Sequence, residues 1–181
     1  MNHSTESRQN GSSLETIYYY AGDIIASERL KRELQYKQHG SCNCYDHSVA
    51  VTRLSVELAE RFCPGADMES LIKGALLHDY FLYDWRVKDK NRQMHGFGHA
   101  FKARLNAERD FDLSEIALDI IEKHMFPLNI RLPRYKESII VCVADKICAS
   151  EEVCRFISAK LKMTGRNTFA YLCNDFCKED S

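Results

Sequence analysis

The chain has 181 residues, 45% of them hydrophobic and 28% charged, which fits one globular domain and excludes a disordered chain. Its formal net charge of -1 gives no broad positive field, so we expect no polymeric nucleic acid as a partner. No apolar run reaches the roughly 20 residues that cross a bilayer, and the first residues lack an apolar secretion signal, which predicts a cytoplasmic protein without a membrane partner. The eight cysteines are therefore expected to be reduced thiols.

The N-terminal region is polar and offers few residues to a core. Residues 1–13 are predicted to be a disordered tail, followed by a single helical domain over residues 14–181. Ser27 is a predicted N-cap, because a serine hydroxyl can accept a hydrogen bond from a free N–H group in the first turn of a helix. The helix that follows is expected to end near Gly40.

Apolar residues at helical spacing predict two helices in the middle of the chain. The first runs from about Asp46 to the break at Pro64-Gly65, and its apolar stripe consists of Val51, Leu54, Leu58 and Phe62. The second runs from about Asp67 to the doublet His78-Asp79, and its core-facing stripe consists of Met68, Leu71, Ile72, Ala75 and Leu76. Residues 80–98 show no clear period and are too long for an ordinary connection, which indicates a functional loop.

Helical patterns continue to the end of the chain. Helices are predicted over residues 98–110, from Ser114 onwards, and over residues 138–149. Two more are predicted beyond Glu151, on the apolar residues Val153, Phe156, Ile157 and Leu161 and then Phe169, Leu172 and Phe176. No alternating strand pattern and no internal repeat competes with them. The expected fold class is all-α, a compact bundle of several helices.

Polar side chains occupy several positions where these helices should face the core. His47 lies at helical spacing from Val51 and Leu54, and Asp79 lies one turn beyond Ala75. His124 follows Ile116 and Ile120 at the same spacing. Asp145 lies inside a nearly apolar segment, where an unpaired charge is costly. A single inward histidine is usually just hydrogen-bonded, but several histidines and aspartates on separate helices are best reconciled by a shared cation.

The ordered set of these residues carries a family resemblance. His47 in CYDHS, the doublet His78-Asp79 in GALLHDY and Asp145 in VADKI resemble the signature of the HD-domain superfamily of metal-dependent phosphohydrolases. The similarity covers about residues 40–152, and the chain looks most like small bacterial HD-domain proteins. The resemblance implies an HD-domain bundle in which the four residues hold an ion, and in which Asp79 bridges two ions when two are present.

Two further histidines match the branch of this superfamily that binds two ions. His99 in HGFGHAFKA and His124 in EKHMF correspond to its second metal site, whereas His95 matches less clearly and is expected to face solvent. The Gly-Tyr-Pro element of cyclic-dinucleotide phosphodiesterases is lacking, and Tyr80 follows the doublet where those enzymes often have isoleucine. That substrate is therefore not assigned.

The leading functional hypothesis is hydrolysis of a phosphate ester of a small molecule, nucleotides included. It requires one or two divalent ions, drawn from Fe, Mn, Co, Ni, Zn or Mg, which lower the pKa of a water and polarise a phosphoryl oxygen. Asp79 or Asp145 orients that water. Lys146 either neutralises charge that develops on the phosphoryl group or simply pairs with an acid.

Substrate contacts are harder to read from the sequence. Arg131 and Arg134 flank Pro133, where a guanidinium can bind phosphate, although loop arginines are commonly just solvated. The aromatic residues after the doublet, Tyr80, Phe81, Tyr83 and Trp85, either cover a substrate or pack in the core.

Two other functions fit the same residues. A di-iron oxygenase would use a similar ligand array on dioxygen, and a non-catalytic module would keep the ions for shape or ligand binding. Oxygen uptake and metal analysis would separate the oxygenase from the hydrolase. The oligomeric state is left open.

Overall fold

The computed structural model describes residues 3–38, 42–84 and 95–176, without the side chains of residues 3–12, 95–97 and 160–176. Within these ranges the protein is all-α, as predicted, and a lone bridge between Lys37 and Asn43 is the only β pairing. The helices are α1 His3–Ala26, α2 Glu28–Lys31, a 3-10 turn Arg32–Gln35, α3 Cys44–Phe62, α4 Met68–Leu77, α5 His95–Asp110, α6 Glu115–Lys123 and α7 Lys136–Phe176.

Side-chain caps define where four of these helices begin. Each capping side chain accepts a hydrogen bond from a backbone N–H three residues later, and the four caps are Ser27, Asn43, Asp67 and Ser114. The starts predicted at Ser27, Asp67 and Ser114 are thus confirmed. The helix after Ser27 is shorter than predicted, because α2 ends at Lys31 and continues only as the 3-10 turn.

The buried face of α3 differs from the predicted apolar stripe. Phe62 is 68% exposed, while the buried side chains of α3 are mostly small: Cys44, His47, Ser48, Val51, Thr52, Ser55, Val56 and Ala59. Small side chains allow neighbouring helices to pack closely, so they extend the buried face of α3 beyond the apolar stripe. Of the predicted stripe, Val51 is buried and Leu54 and Leu58 pack partly buried against the core, so the expectation is wrong for Phe62 alone.

Helix α4 lies at the centre of the fold. Seven of its ten residues are buried, and it packs against α3 on one side and α6 on another. A Cβ at Gly74 would come within 2.8 Å of the Ile120 side chain, so α4 and α6 approach too closely for any larger residue. This contact brings the C-terminal ends of α4 and α6 together.

The C-terminal region forms one helix where the sequence predicted three. There is no proline between Lys136 and Phe176, and α7 continues through its single glycine, Gly165, to Phe176. The apolar residues beyond Glu151, which predicted two further helices, belong to the same helix. Val153, Phe156 and Ile157 are 41%, 46% and 50% exposed, whereas the side chains of Leu161, Phe169, Leu172 and Phe176 lie outside the described residues.

The remaining expectations concern the N-terminus, the thiols and the membrane. Helix α1 begins at His3, within the stretch 1–13 for which composition predicts a disordered tail, and the domain limits 14–181 stay a prediction. Every cysteine whose side chain is described is a free thiol. Among the described helices, none combines the length and the hydrophobicity that a membrane span requires.

Candidate metal centre

Five helices bring six polar side chains to one buried point. His47 comes from α3, the doublet His78-Asp79 follows α4, and the others come from α5, α6 and α7. All six side chains are buried: His47, His78, Asp79, His99, His124 and Asp145. The structure therefore assembles every residue that the sequence singled out as a metal ligand, although their roles as ligands stay predictions.

One half of the cluster is formed by His47, His78 and Asp145, whose ligand atoms all lie within 4.8 Å of one another. The shortest of these approaches is 3.2 Å, between His47 Nε2 and Asp145 Oδ1. Asp79 Oδ2 faces the same point, at 3.4 Å from His78 Nε2 and 3.9 Å from His47 Nε2. Two imidazoles and two carboxylates thus converge here.

The other half is formed by the second oxygen of Asp79 together with His99 and His124. Asp79 Oδ1 lies 3.4 Å from His99 Nε2 and 3.5 Å from His124 Nε2. The two Nε2 atoms are 3.1 Å apart. Because the two oxygens of Asp79 face different sets of imidazoles, this carboxylate has the geometry of a bridge between two ion positions.

The ends of α4 and α6 fix two of the imidazoles in the same way. His78 Nδ1 donates to the carbonyl of Ala75 at 2.7 Å, and His124 Nδ1 donates to the carbonyl of Ile121 at 2.9 Å. A carbonyl oxygen only accepts, so each Nδ1 carries the proton and each Nε2 of the neutral ring keeps its lone pair. These carbonyls are available because the last turn of a helix leaves its C=O groups without backbone partners.

The charges in the cluster are strongly coupled. Burial opposes ionisation of Asp79, but the surrounding histidines more than offset it and hold its pKa well below the usual range. Burial also opposes charge on His47, yet hydrogen bonds to Asp145 and to Glu152 raise the pKa of His47 to about 10. Burial alone dominates at His124, where it lowers the pKa to about 3.

The donor atoms suit a divalent cation. His78 Nε2 and Asp79 Oδ1 are buried without a hydrogen-bond partner in the described parts of the chain, a costly arrangement that an ion would relieve. Imidazole and carboxylate ligands without thiolate favour Fe, Mn, Co, Ni or Zn. The residues present therefore fit one ion at each face of Asp79.

Comparison with protein families gives an independent result. The family model for the HD domain matches residues 44–150, which is more than half of the chain and includes all six clustered residues. The chain belongs to the HD domain family. No curated protein and no solved structure matches the chain. The HD-domain resemblance of about residues 40–152 is thereby confirmed.

Lys146 lies at the edge of the HD-domain cluster. Its Nζ donates to the carbonyl of His124 at 2.8 Å and is 3.5 Å from Asp145 Oδ2, and the side chain is 38% exposed. This geometry matches the predicted alternative in which Lys146 pairs with an acid. It also leaves part of the side chain open to solvent beside the cluster.

The two predicted phosphate-binding arginines are engaged elsewhere. Arg134 Nε donates to Asp119 Oδ1 at 2.9 Å, and the backbone N–H of Arg134 donates to the other oxygen at 3.0 Å. Arg131 pairs with Glu122, as does Arg104. Both loop arginines thus pair with carboxylates of α6, which favours a role in stabilising the fold over a role in binding phosphate. The structure does not bring either arginine to any of the six clustered side chains.

The aromatic residues after the doublet belong largely to the core. Tyr80 and Phe81 are fully buried, and Asn106 donates to the carbonyls of both at 3.0 and 3.1 Å. Tyr80 Oη donates to Asp110 at 3.1 Å. Packing is therefore the role that the structure supports for these two, while Trp85 and the side chain of His95 lie outside the described residues.

Sequence reasoning missed two residues that contact the cluster. Gln38 Nε2 donates to Asp79 Oδ2 from the segment after the 3-10 turn. Glu152 Oε1 lies 3.0 Å from His47 Nδ1. Nothing in the sequence marks Gln38, but Glu152 follows Asp145 by two helical turns, so spacing alone could have placed both carboxylates on one face of α7.

Proposed function

We propose that this protein is a metal-dependent phosphohydrolase that cleaves a phosphate ester of a small molecule, nucleotides included. The observation that carries the proposal is Asp79, whose two oxygens face two separate sets of imidazoles inside a buried cluster. His47, His78 and Asp145 would complete one ion position with Asp79. His99 and His124 would complete the second.

The proposed chemistry divides between the ions and the protein. When bound, a divalent ion lowers the pKa of a coordinated water towards neutrality and polarises a phosphoryl oxygen. Asp145 and Asp79 stay ionised and accept hydrogen bonds, so either can orient the attacking water. Lys146 supplies positive charge where negative charge develops on the phosphoryl group.

Activity measurements test this proposal. Metal-free protein would be reloaded with Mn, Co, Ni, Mg, Zn or Fe and assayed against a panel of phosphomonoesters, phosphodiesters and nucleotides. We expect hydrolysis of at least one class, and we expect Asp79→Asn to reduce kcat by at least about 1,000-fold because it removes the proposed bridge.

A matched variant controls for the loss of one negative charge. Asp112 is exposed in the connection before α6, and Asp112→Asn should leave turnover unchanged. Equal rates for the wild-type protein and Asp79→Asn would refute the proposed role of the cluster.

The same bridged geometry also supports a second candidate, a di-iron oxygenase. A carboxylate between two imidazole-rich positions suits a pair of irons as well as a pair of hydrolytic ions. Oxygen uptake by anaerobically prepared, iron-loaded protein distinguishes the two. Oxygen consumption without phosphate release would favour the oxygenase.

A further inference from the structure

One buried histidine of the cluster is held at both of its ring nitrogens. His47 Nε2 lies 3.2 Å from Asp145 Oδ1, and His47 Nδ1 lies 3.0 Å from Glu152 Oε1. Both carboxylates belong to α7 and are separated by two helical turns, so a single helix clamps the ring. Glu152 lies outside the segment that matches the HD domain family.

The position of His47 in its helix explains why its Nδ1 needs a hydrogen-bond acceptor from another helix. His78 and His124 stand at the C-terminal ends of their helices, where carbonyls three residues earlier accept their Nδ1–H groups. His47 stands in the first turn of α3, where backbone carbonyls are already committed to the helix that follows. Its Nδ1–H therefore requires an acceptor from another element, and Glu152 provides one.

A carboxylate at this position affects the His47 ring more strongly than a backbone carbonyl would. An ionised acceptor makes a stronger hydrogen bond to an N–H group and increases the basicity of the opposite ring nitrogen. Within the described part of the chain, Glu152 forms an ion pair with His47. The side chain is only 12% exposed, so little solvent screens this interaction.

We propose that Glu152 is a positioning residue of the metal centre. It fixes His47 in the tautomer that protonates Nδ1, turns Nε2 towards the ion position shared with Asp145, and thereby tightens ion binding. This inference rests on the proposed metal-dependent function, because it assigns Glu152 a role at that same site.

Cobalt binding to the full-length protein tests the inference without relying on turnover. Metal-free wild-type protein, Glu152→Ala and Glu152→Gln would each compete with a chromophoric chelator for Co²⁺, and the visible absorption spectrum of bound Co²⁺ would be recorded. We expect Glu152→Ala to bind Co²⁺ about 10–100-fold more weakly, with an altered spectrum. Glu152→Gln keeps an acceptor oxygen and should lose affinity only several-fold.

Glu151 offers a matched control on the same helix. Its carboxylate pairs with Arg155 at 2.9 Å on the exposed side of α7, so Glu151→Ala removes the same charge without touching His47. This variant should bind Co²⁺ with wild-type affinity and spectrum. Thermal melts of the metal-free proteins would show which variants remain folded.

The outcomes separate the inference from the function on which it rests. Wild-type affinity and an unchanged spectrum in Glu152→Ala overturn the positioning role but leave the metal site intact. Failure of the wild-type protein to bind Co²⁺ overturns the metal site itself. If Glu152→Ala does not fold, the near-isosteric Glu152→Gln decides, and affinity equal to that of the wild type overturns the inference.

Discussion

At the scale of single residues, the tautomers of the histidines organise the cluster. In three of them, Nδ1 faces a hydrogen-bond acceptor: a backbone carbonyl at His78 and His124, and a carboxylate at His47. Their Nε2 atoms therefore point into the cluster. The identities of these residues were readable from the sequence because a histidine or aspartate on an apolar stripe is conspicuous. Glu152 was less conspicuous, since an acidic residue near the end of an apolar segment also fits a solvated helix face.

The pKa values predict that ion binding releases a proton from His47. Its pKa of about 10 means that His47 is protonated at pH 7 in the metal-free protein, and an ion must displace that proton. The apparent affinity for the ion should therefore rise as pH increases, by about tenfold per unit for this one proton, and level off above the pKa. His124 should contribute no proton at pH 7, because burial lowers its pKa to about 3.

Titration calorimetry in buffers with different ionisation enthalpies would measure the released protons. A plot of the observed heat against the ionisation enthalpy of the buffer should be a straight line whose slope gives the number of protons released. Replacing His47 by glutamine should reduce that number. Heats that do not depend on the buffer would contradict the assignment of a proton to His47.

At the scale of elements, helix beginnings were predictable and buried faces were less so. Ser27, Asp67 and Ser114 mark their helix starts because capping is a local interaction, visible in the sequence. Hydrophobicity identified only part of the buried face of α3, because its serines and threonine are buried as well. The continuity of α7 is consistent with the lack of proline after Pro133, a signal that the separate apolar patterns beyond Glu151 obscured.

The close approach of α4 and α6 yields a prediction about Gly74. A Cβ there would lie 2.8 Å from Ile120, so Gly74→Ala should push the two helices apart and lower the free energy of unfolding by about 1–3 kcal/mol. Because the same helices end at His78 and His124, ion affinity should fall as well. Denaturant unfolding and chelator competition would measure the two effects.

Gly98 provides the control for this substitution. It lies in α5, and a Cβ there would have no heavy atom within 4 Å. Gly98→Ala should therefore leave stability unchanged or raise it by up to about 1 kcal/mol, through helix propensity alone. Equal stability of the two alanine variants would contradict the packing described between α4 and α6.

At the scale of the whole molecule, the cluster links helices that are distant in the sequence. The ordered spacing of the histidines and aspartates identified the site because the family arrangement fixes which helices meet. The segment that places Gln38 on Asp79 could not be foreseen, since its contact depends on how the chain between α2 and α3 folds back. Local sequence carries little information about such long-range contacts.

Because the cluster joins helices from distant parts of the chain, bound ions are expected to stabilise the entire fold. An ion that binds the folded chain at a free concentration of 100 times its dissociation constant adds about 2.7 kcal/mol of stability. For a chain of this size that corresponds to an increase in Tm of about 5–10 °C. Thermal melts with and without Mn²⁺ would test this, and Asp79→Asn should show a much smaller increase.

The proposed function depends most on Asp79 lying between two ion positions, each completed by its own imidazoles. Anomalous scattering from a crystal of the wild-type protein grown with Mn²⁺ would show whether both positions bind an ion. We expect two anomalous peaks beside Asp79, one among His47, His78 and Asp145 and a second between His99 and His124. Anomalous maps without a peak at Asp79, with the six side chains hydrogen-bonded to protein neighbours alone, would contradict it.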